Sequence, residues 1–155
     1  MVVPFNQTSN SPARNVPASA VCGLSKNDAA AAVSSASQSN LSHLWVNYTG
    51  CDSYFAVAAD ANDVYVAGHE RWQSNPNGCD FQGPGALARP GLGGLSSTNG
   101  ATTSWNPTRA RGLGADDAIV TTNPAGLWIA SDNFDGSDTC GGVYGKAGIC
   151  FLPYS

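Results

Sequence analysis

Apolar and polar positions alternate in short runs along this chain, and the clearest runs lie near its middle. Tyr54-Phe55-Ala56-Val57-Ala58 and Val64-Tyr65-Val66-Ala67 are rich in β-branched and aromatic residues, and Asp60-Ala61-Asn62-Asp63 separates them. Asp and Asn side chains bond their own backbone and tolerate left-handed geometry, so the two runs read as strands of a hairpin. Upstream, Leu44-Trp45-Val46-Asn47-Tyr48 is a further strand candidate. Downstream, Gly91 to Leu95 starts a strand, Ser96-Ser97-Thr98-Asn99-Gly100 is a tight turn of the Asn-Gly kind, and Thr102 to Pro107 is the return strand.

Between these lies Gln73 to Pro90, with Pro76, Gly78, Gly83, Pro84, Gly85 and Pro90. So many breakers argue against regular structure, and loops of this length are usually functional or mobile. Residues 1–43 carry Pro4, Pro12 and Pro17 among Asn and Ser, and read as an irregular or extended segment. Inside it, the Ala-rich run Asp28 to Ala36 predicts either one short helix capped by Asn27 or Asp28, or a loop leading into a strand.

The pattern then repeats. Asp116 to Thr122, the turn Asn123-Pro124-Ala125-Gly126 and Leu127-Trp128-Ile129-Ala130-Ser131 follow the order of Asp52 to Ala58, the Asp60–Asp63 turn and Val64 to Gly68. A Trp precedes each unit, Trp45 in one and Trp105 in the other. A repeat of ~60 residues with about four strands indicates propeller blades. The expected fold is therefore all-β, with about two four-stranded propeller-type blades over 44–155 and a loop-rich N-terminal segment over 1–43. Two blades cannot close a ring that typically needs about 4 to 8. That leaves a fragment of a longer propeller, copies assembling into a ring, or a small β fold stapled by disulfides.

Composition sharpens this picture. Charged residues are 12% of the 155, with apolar residues at 42% and a net charge of −4; Glu70 is the only Glu. Nothing resembles a basic nucleic-acid footprint, since the Arg residues are scattered. No run approaches the ~18 apolar residues of a membrane span. The 5 Cys contain no CxxC pair, which weakens zinc and thioredoxin readings. Cys51 and Cys79 sit at the loop end of the central hairpin and are expected to meet across it. Cys140 and Cys150 flank a Gly-rich segment that suits a hairpin disulfide, and Cys22 is left over. Scarce charge and paired Cys favour an oxidising, extracellular setting, with buried free thiols as the alternative. Sequons at Asn6, Asn40 and Asn47 matter only in a eukaryotic secretory route. The start Met1-Val2-Val3-Pro4 has no basic region and no apolar core, so no signal peptide is expected. Either the chain is a mature form or Met1 begins a fragment of something longer.

These pieces resemble a known group. Val64 to His69, Pro90 to Leu95, Asn99-Gly100, Ser104-Trp105-Asn106-Pro107, Arg111-Gly112, Gly126 to Asp132 and the tail Lys146 to Pro153 look like the C-terminal blades of actinobacterial secreted β-propellers of the delta-60 or quinoprotein-like repeat type. The resemblance covers about residues 44–155. It implies an extracellular module attached to others, and it says little about a ligand. Cys51 and Cys79 depart from the Gly or small polar residue that the group implies there. Two such departures at the ends of one hairpin fit an added disulfide.

Candidate chemistry is sparse. Gly68-His69-Glu70-Arg71-Trp72 is the densest polar and aromatic cluster. An acid–base pair needs both groups within reach of one proton. Strand alternation would put His69 and Arg71 on one face and Glu70 and Trp72 on the other. The structural reading is a hairpin end in which His69 bonds a backbone carbonyl and Arg71 pairs with an Asp. Trp72, at the edge of the long loop, is the best-placed aromatic for exposure. With His69, Arg71 and Asn75 it forms the candidate ligand-binding set, suited to carbohydrate or protein recognition. Trp45 and Trp105 read as blade core, and Trp128 as buried with Leu127 and Ile129. Asp132, Asp135 and Asp138 are candidate Ca²⁺ ligands, because hard cations want several oxygens from one tight loop; a solvated turn before Cys140 is the alternative. Asp116 or Asp117 occupies the place of Asp52 in the first unit, so a turn-fixing role is expected there. Ser53 and Ser131 lack the Gly-x-Ser-x-Gly setting of a hydrolase nucleophile. A glycosidase would need two carboxylates about 5–10 Å apart, and with one Glu that pair must involve Asp.

The expected function is that of a non-catalytic, secreted or cell-surface structural and interaction module. Its expected partners are further blades or copies of itself. The alternative is a carbohydrate-binding, lectin-like module or an accessory module of a carbohydrate-active enzyme, with cell-surface polysaccharide as the partner.

Overall fold

The computed structural model describes residues 2–5, 28–33, 43–107, 115–131, 145–146 and 148–154, and in these every regular element is a β-strand. In chain order they are β1 (Val2–Phe5), β2 (Asp28–Val33), β3 (His43–Gly50), β4 (Tyr54–Ala59), β5 (Asp63–Gly68), β6 (Trp72–Gln73), β7 (Leu87–Ala88), β8 (Leu92–Ser96), β9 (Ala115–Thr122), β10 (Ala125–Ser131), β11 (Gly145–Lys146) and β12 (Ile149–Pro153). They form four antiparallel sheets, ordered β1-β2-β3, β4-β5-β8, β6-β7 and β11-β12-β10-β9.

The central hairpin forms where the pattern puts it, and its turn works as Asp chemistry requires. Asp60 Oδ1 accepts the backbone N–H of Asn62 and of Asp63, each at 2.8 Å, and Tyr65 donates its hydroxyl to Asp60 Oδ2 at 2.9 Å. β5 is the middle strand of its sheet, between β4 and β8. Its side chains alternate between two cores. Tyr65 and Ala67 point to one core with Ala56, Leu92, Ala118, Leu127, Ile129, Cys150 and Leu152. Val64 and Val66 point to the other with Ala30, Ala32, Trp45, Tyr54 and Leu95. The β4-β5-β8 sheet is therefore covered on both faces, by β9-β10-β12 on one side and β2-β3 on the other. An irregularity in the β4–β5 pairing between Tyr54 and Ala56 lets these two residues, two apart, reach opposite cores.

The second hairpin also forms as the repeat predicts, β9 pairing with β10 from Thr122↔Ala125 inward. In five respects the architecture differs from the expectation. The Ala-rich run at 28 is strand β2, with neither the short helix nor the loop the sequence favours. It pairs with β1 and with β3, for example Ala31↔Val3 and Ala30↔Asn47, and its small side chains let that sheet lie close against Val64 and Val66. Tertiary pairing here overrides the helix propensity of Ala. Strand β3, containing Trp45, belongs to that sheet and does not extend the central hairpin. The return strand at Thr102 to Pro107 shrinks to a Leu95↔Thr102 bridge flanked by the Ser96 N–H to Ala101 and Thr103 N–H to Gly94 bonds. The long loop carries a two-stranded ribbon, with Trp72↔Ala88 and Gln73↔Leu87. In the β9–β12 sheet, β12 lies between β10 and β11, so its order is not a sequential meander, and among the described residues none of the sheets closes on itself.

Candidate functional site

The segment after β5 is organised by one disulfide and two further side chains, Arg71 and Asn75. Cys51, just past β3, and Cys79, in the loop, form a disulfide that spans 28 residues, as expected from their positions. Beside it, Arg71 grips Asp52 with Nε and Nη2, the latter at 3.1 Å from Oδ1, and its Nη2 reaches Asp80 Oδ1 at 2.8 Å. The pairing with an Asp that the structural reading expects is thus present. The same guanidinium lies over the ring of Trp72, 4.4 Å from its centroid, a cation–π contact. Asn75 is fully buried. Its amide donates to the Thr49 and Phe81 carbonyls, both at 3.2 Å, and accepts the Gly83 N–H at 2.8 Å.

These positions sort the candidate residues. Arg71 and Trp72 touch each other, so the alternation that placed them on opposite faces does not hold. Residues 69–71 are a bend between β5 and β6, where the two-residue period of a strand does not apply. His69 is exposed, edge-on to Phe55 with ring centroids 4.8 Å apart. Glu70 is fully buried. It raises the pKa of Tyr54, which burial itself lifts well above the ordinary tyrosine range. Trp72 is half-buried, one face covered by Arg71, and Asn75 is turned inward onto the backbone of its own loop. Asp132, Asp135 and Asp138 lie outside the described residues, as do Cys22 and Cys140. Cys150 is a half-cystine at the core side of β12. Asp116 and Asp117 lie within strand β9 and not in a turn, so the turn-fixing role expected there does not hold; Asp117 Oδ1 accepts the N–H of Ala118 at 2.8 Å. Ser53 donates its hydroxyl to Asp28 Oδ2.

Two features were not read from the sequence. The first is an open cavity of about 390 Å³ beside β3, lined by Val46, Asn47, Tyr48, Ser74, Pro76 and residues 99–101. Its inner wall is tied together by Asn47, which is 4% exposed. Asn47 Nδ2 donates to the Gly100 carbonyl at 2.8 Å and to Ser74 Oγ at 3.1 Å, and its Oδ1 accepts the Ser74 N–H at 2.8 Å. Ser74 sits at φ 54°, a left-handed conformation uncommon for a side chain other than Gly, Asn or Asp. Burial raises the pKa of Tyr48 at the same cavity.

The second is the outer face of the β9–β10–β12 sheet. Trp128 stands directly across from Ile119 on one side and Phe151 on the other, and Ile149 lies one step along on the same face. Ile119 is 60% exposed, Ile149 59% and Trp128 41%, and the Trp128 and Phe151 rings are 5.1 Å apart. Trp128 is thus not buried with Leu127 and Ile129. The period of two sends its neighbours inward and Trp128 outward.

No family model, curated protein or solved structure matches this chain. The resemblance to delta-60 or quinoprotein-like repeats therefore rests on the quoted motifs alone. Among the described residues no helix is long and apolar enough to cross a membrane, and no cluster of three His, Cys, Asp or Glu side chains could hold a metal ion.

Proposed function

We propose that this chain is an extracellular structural and interaction module of propeller type, built from sheets stacked face to face, and that its outer sheet receives a further sheet from a second copy or blade. The observation that supports this reading is the row Ile119, Trp128, Phe151 and Ile149. Three adjacent strands present large apolar side chains to solvent on a sheet whose other face is core. Contiguous exposed apolar patches of this kind mark interaction sites. The central β4-β5-β8 sheet, covered on both faces, supplies the pattern for how such a face is completed. The Cys51–Cys79 disulfide suits the oxidising compartment of a secreted or cell-surface protein.

Light scattering over a concentration series tests this. The chain forms a dimer or larger assembly, and the paired change Ile119→Thr, Trp128→Ser returns it to a folded monomer. A wild-type chain that stays monomeric at every concentration overturns the assembly reading.

A further inference from the structure

The cavity beside β3 has the makings of a ligand site, and its chemistry differs from that of the apolar face. Its lining holds no Asp, Glu, Lys or Arg. Val46, Tyr48 and Pro76 give it an apolar side. Ser74, Asn99 and the backbone at Gly100 and Ala101 give it a polar one. Its volume of about 390 Å³ falls within the span of small-molecule sites, about 300–1,000 Å³. The polar side is preorganised. Ser74 is held at positive φ by Asn47, and its Oγ is 3.1 Å from Thr102 Oγ1. Backbone held in a sparsely populated region clusters at ligand clamps, so the conformation of Ser74 is a second, independent pointer to binding. Asn99 is exposed at the rim and uses Oδ1 to cap the Ala101 N–H at 3.0 Å, which leaves its amide donors facing outward.

We propose that this cavity binds a neutral, hydroxyl-rich ring, a single sugar unit, with the Tyr48 ring against its apolar face and Asn99 and Ser74 bonding its hydroxyls. Sugars carry such a split surface, one face of C–H groups and a periphery of hydroxyls. An aromatic ring with a polar tip beside uncharged amide and hydroxyl groups is complementary to both. The absence of charge in the lining favours a neutral sugar over an acidic one. A shallow, open site of this kind binds weakly, so the unit recognised would be one residue of a larger polysaccharide. The site does not depend on assembly through Trp128.

The test is titration of isotope-labelled protein with glucose, galactose, mannose and N-acetylglucosamine, followed by amide chemical shifts. At least one of these sugars gives saturable shifts at Ser74, Asn99, Gly100 and Ala101. Asn99→Asp, which keeps the oxygen that caps Ala101, weakens that binding by about tenfold. Tyr48→Ala abolishes it, and the remaining spectrum of each variant reports that the fold is intact. The Ile119→Thr, Trp128→Ser variant binds as wild type, so failure of the assembly reading and failure of this one are separable. The proposal is overturned if none of the four sugars shifts these amides, if Asn99→Asp leaves the affinity unchanged, or if the shifts map to Trp72 or Trp128 instead.

Discussion

Asn47 and Ser74 hold each other by two hydrogen bonds, the Asn47 Oδ1 accepting the Ser74 N–H at 2.8 Å and Asn47 Nδ2 donating to Ser74 Oγ at 3.1 Å. The same Nδ2 also donates to the Gly100 carbonyl at 2.8 Å, so one buried amide joins β3, the loop after β6 and the turn after β8. Nδ2 is the atom a glycan would occupy in the sequon Asn47-Tyr48-Thr49. In the folded chain that nitrogen is already committed to the Gly100 carbonyl and Ser74 Oγ.

Two outcomes follow for Asn47. Protein secreted from a eukaryotic host and analysed by mass spectrometry carries no glycan at Asn47. Asn47→Ala, measured by chemical denaturation, loses about 1–3 kcal/mol, because the Ser74 N–H and Gly100 carbonyl are left without their partner.

The Cys51–Cys79 disulfide closes a 28-residue separation. Restricting the unfolded chain over such a loop is worth about 2–4 kcal/mol in the chain-entropy account. The double change Cys51→Ser, Cys79→Ser should lower the unfolding free energy by about that amount, and the ribbon Trp72–Gln73 with Leu87–Ala88 should become the first part to exchange its amides. The double variant is a cleaner test than reduction, because reduction would also open the disulfide of Cys150.

Gly100 combines two constraints. Its φ is +71°, and a Cβ there would sit 2.4 Å from the buried ring of Trp45. Trp45 cannot yield, since its Nε1 donates to the Ser97 carbonyl at 3.1 Å within the core. Gly100→Ala is expected to cost about 2–5 kcal/mol, the sum of left-handed backbone strain and overpacking. Gly85, also at positive φ but with open space around it, bears the strain alone and should lose about 1–2 kcal/mol on the same change. Paired denaturation curves of the two variants check the difference.

Stability should fall on the alkaline side. Burial, and then the Glu70 carboxylate, hold Tyr54 well above the ordinary tyrosine range. Burial also raises Tyr65, with further upward shifts from Tyr154 and Asp60. A raised pKa in the folded state favours the protonated form there, so this stability is present in full below the unfolded value of about 10 and is lost as the pH rises beyond it. Denaturant midpoints should be flat with respect to these groups up to about pH 10 and decline above it. Tyrosinate absorbance should appear together with unfolding and not before it.

Much of this architecture is legible in the sequence, and the misses have physical causes. The two hairpins were readable because Asp60 and Asn62 mark one turn and Asn123-Pro124 the other, between runs of β-branched and aromatic residues. β2 was hidden because Ala favours helix in isolation and only its neighbours β1 and β3 make it a strand. The placement of Trp45 in a separate sheet depends on that same hidden pairing. The outward face of Trp128 was available from the alternation with Leu127 and Ile129, which sends it to the side opposite theirs. The cavity at Tyr48 was not readable at all. Val46, Ser74 and Asn99 are far apart in sequence, and it is the amide of Asn47 that brings their segments together. The pairing of Arg71 with an Asp follows from the scarcity of other partners for a cation at a hairpin end. The contact of Arg71 with Trp72 is not legible, because the alternation of a strand fails where the chain bends.

β5 is the strand around which the layers stack, and native-state hydrogen exchange tests that most directly. Val64, Tyr65, Val66 and Ala67 are all buried, between two cores. Their amides should be the slowest in the protein and should exchange only through global unfolding, with the same sensitivity to denaturant as the whole chain. Amides of β5 that exchange as fast as those of β9 and β10, or through a separate local opening, would contradict it.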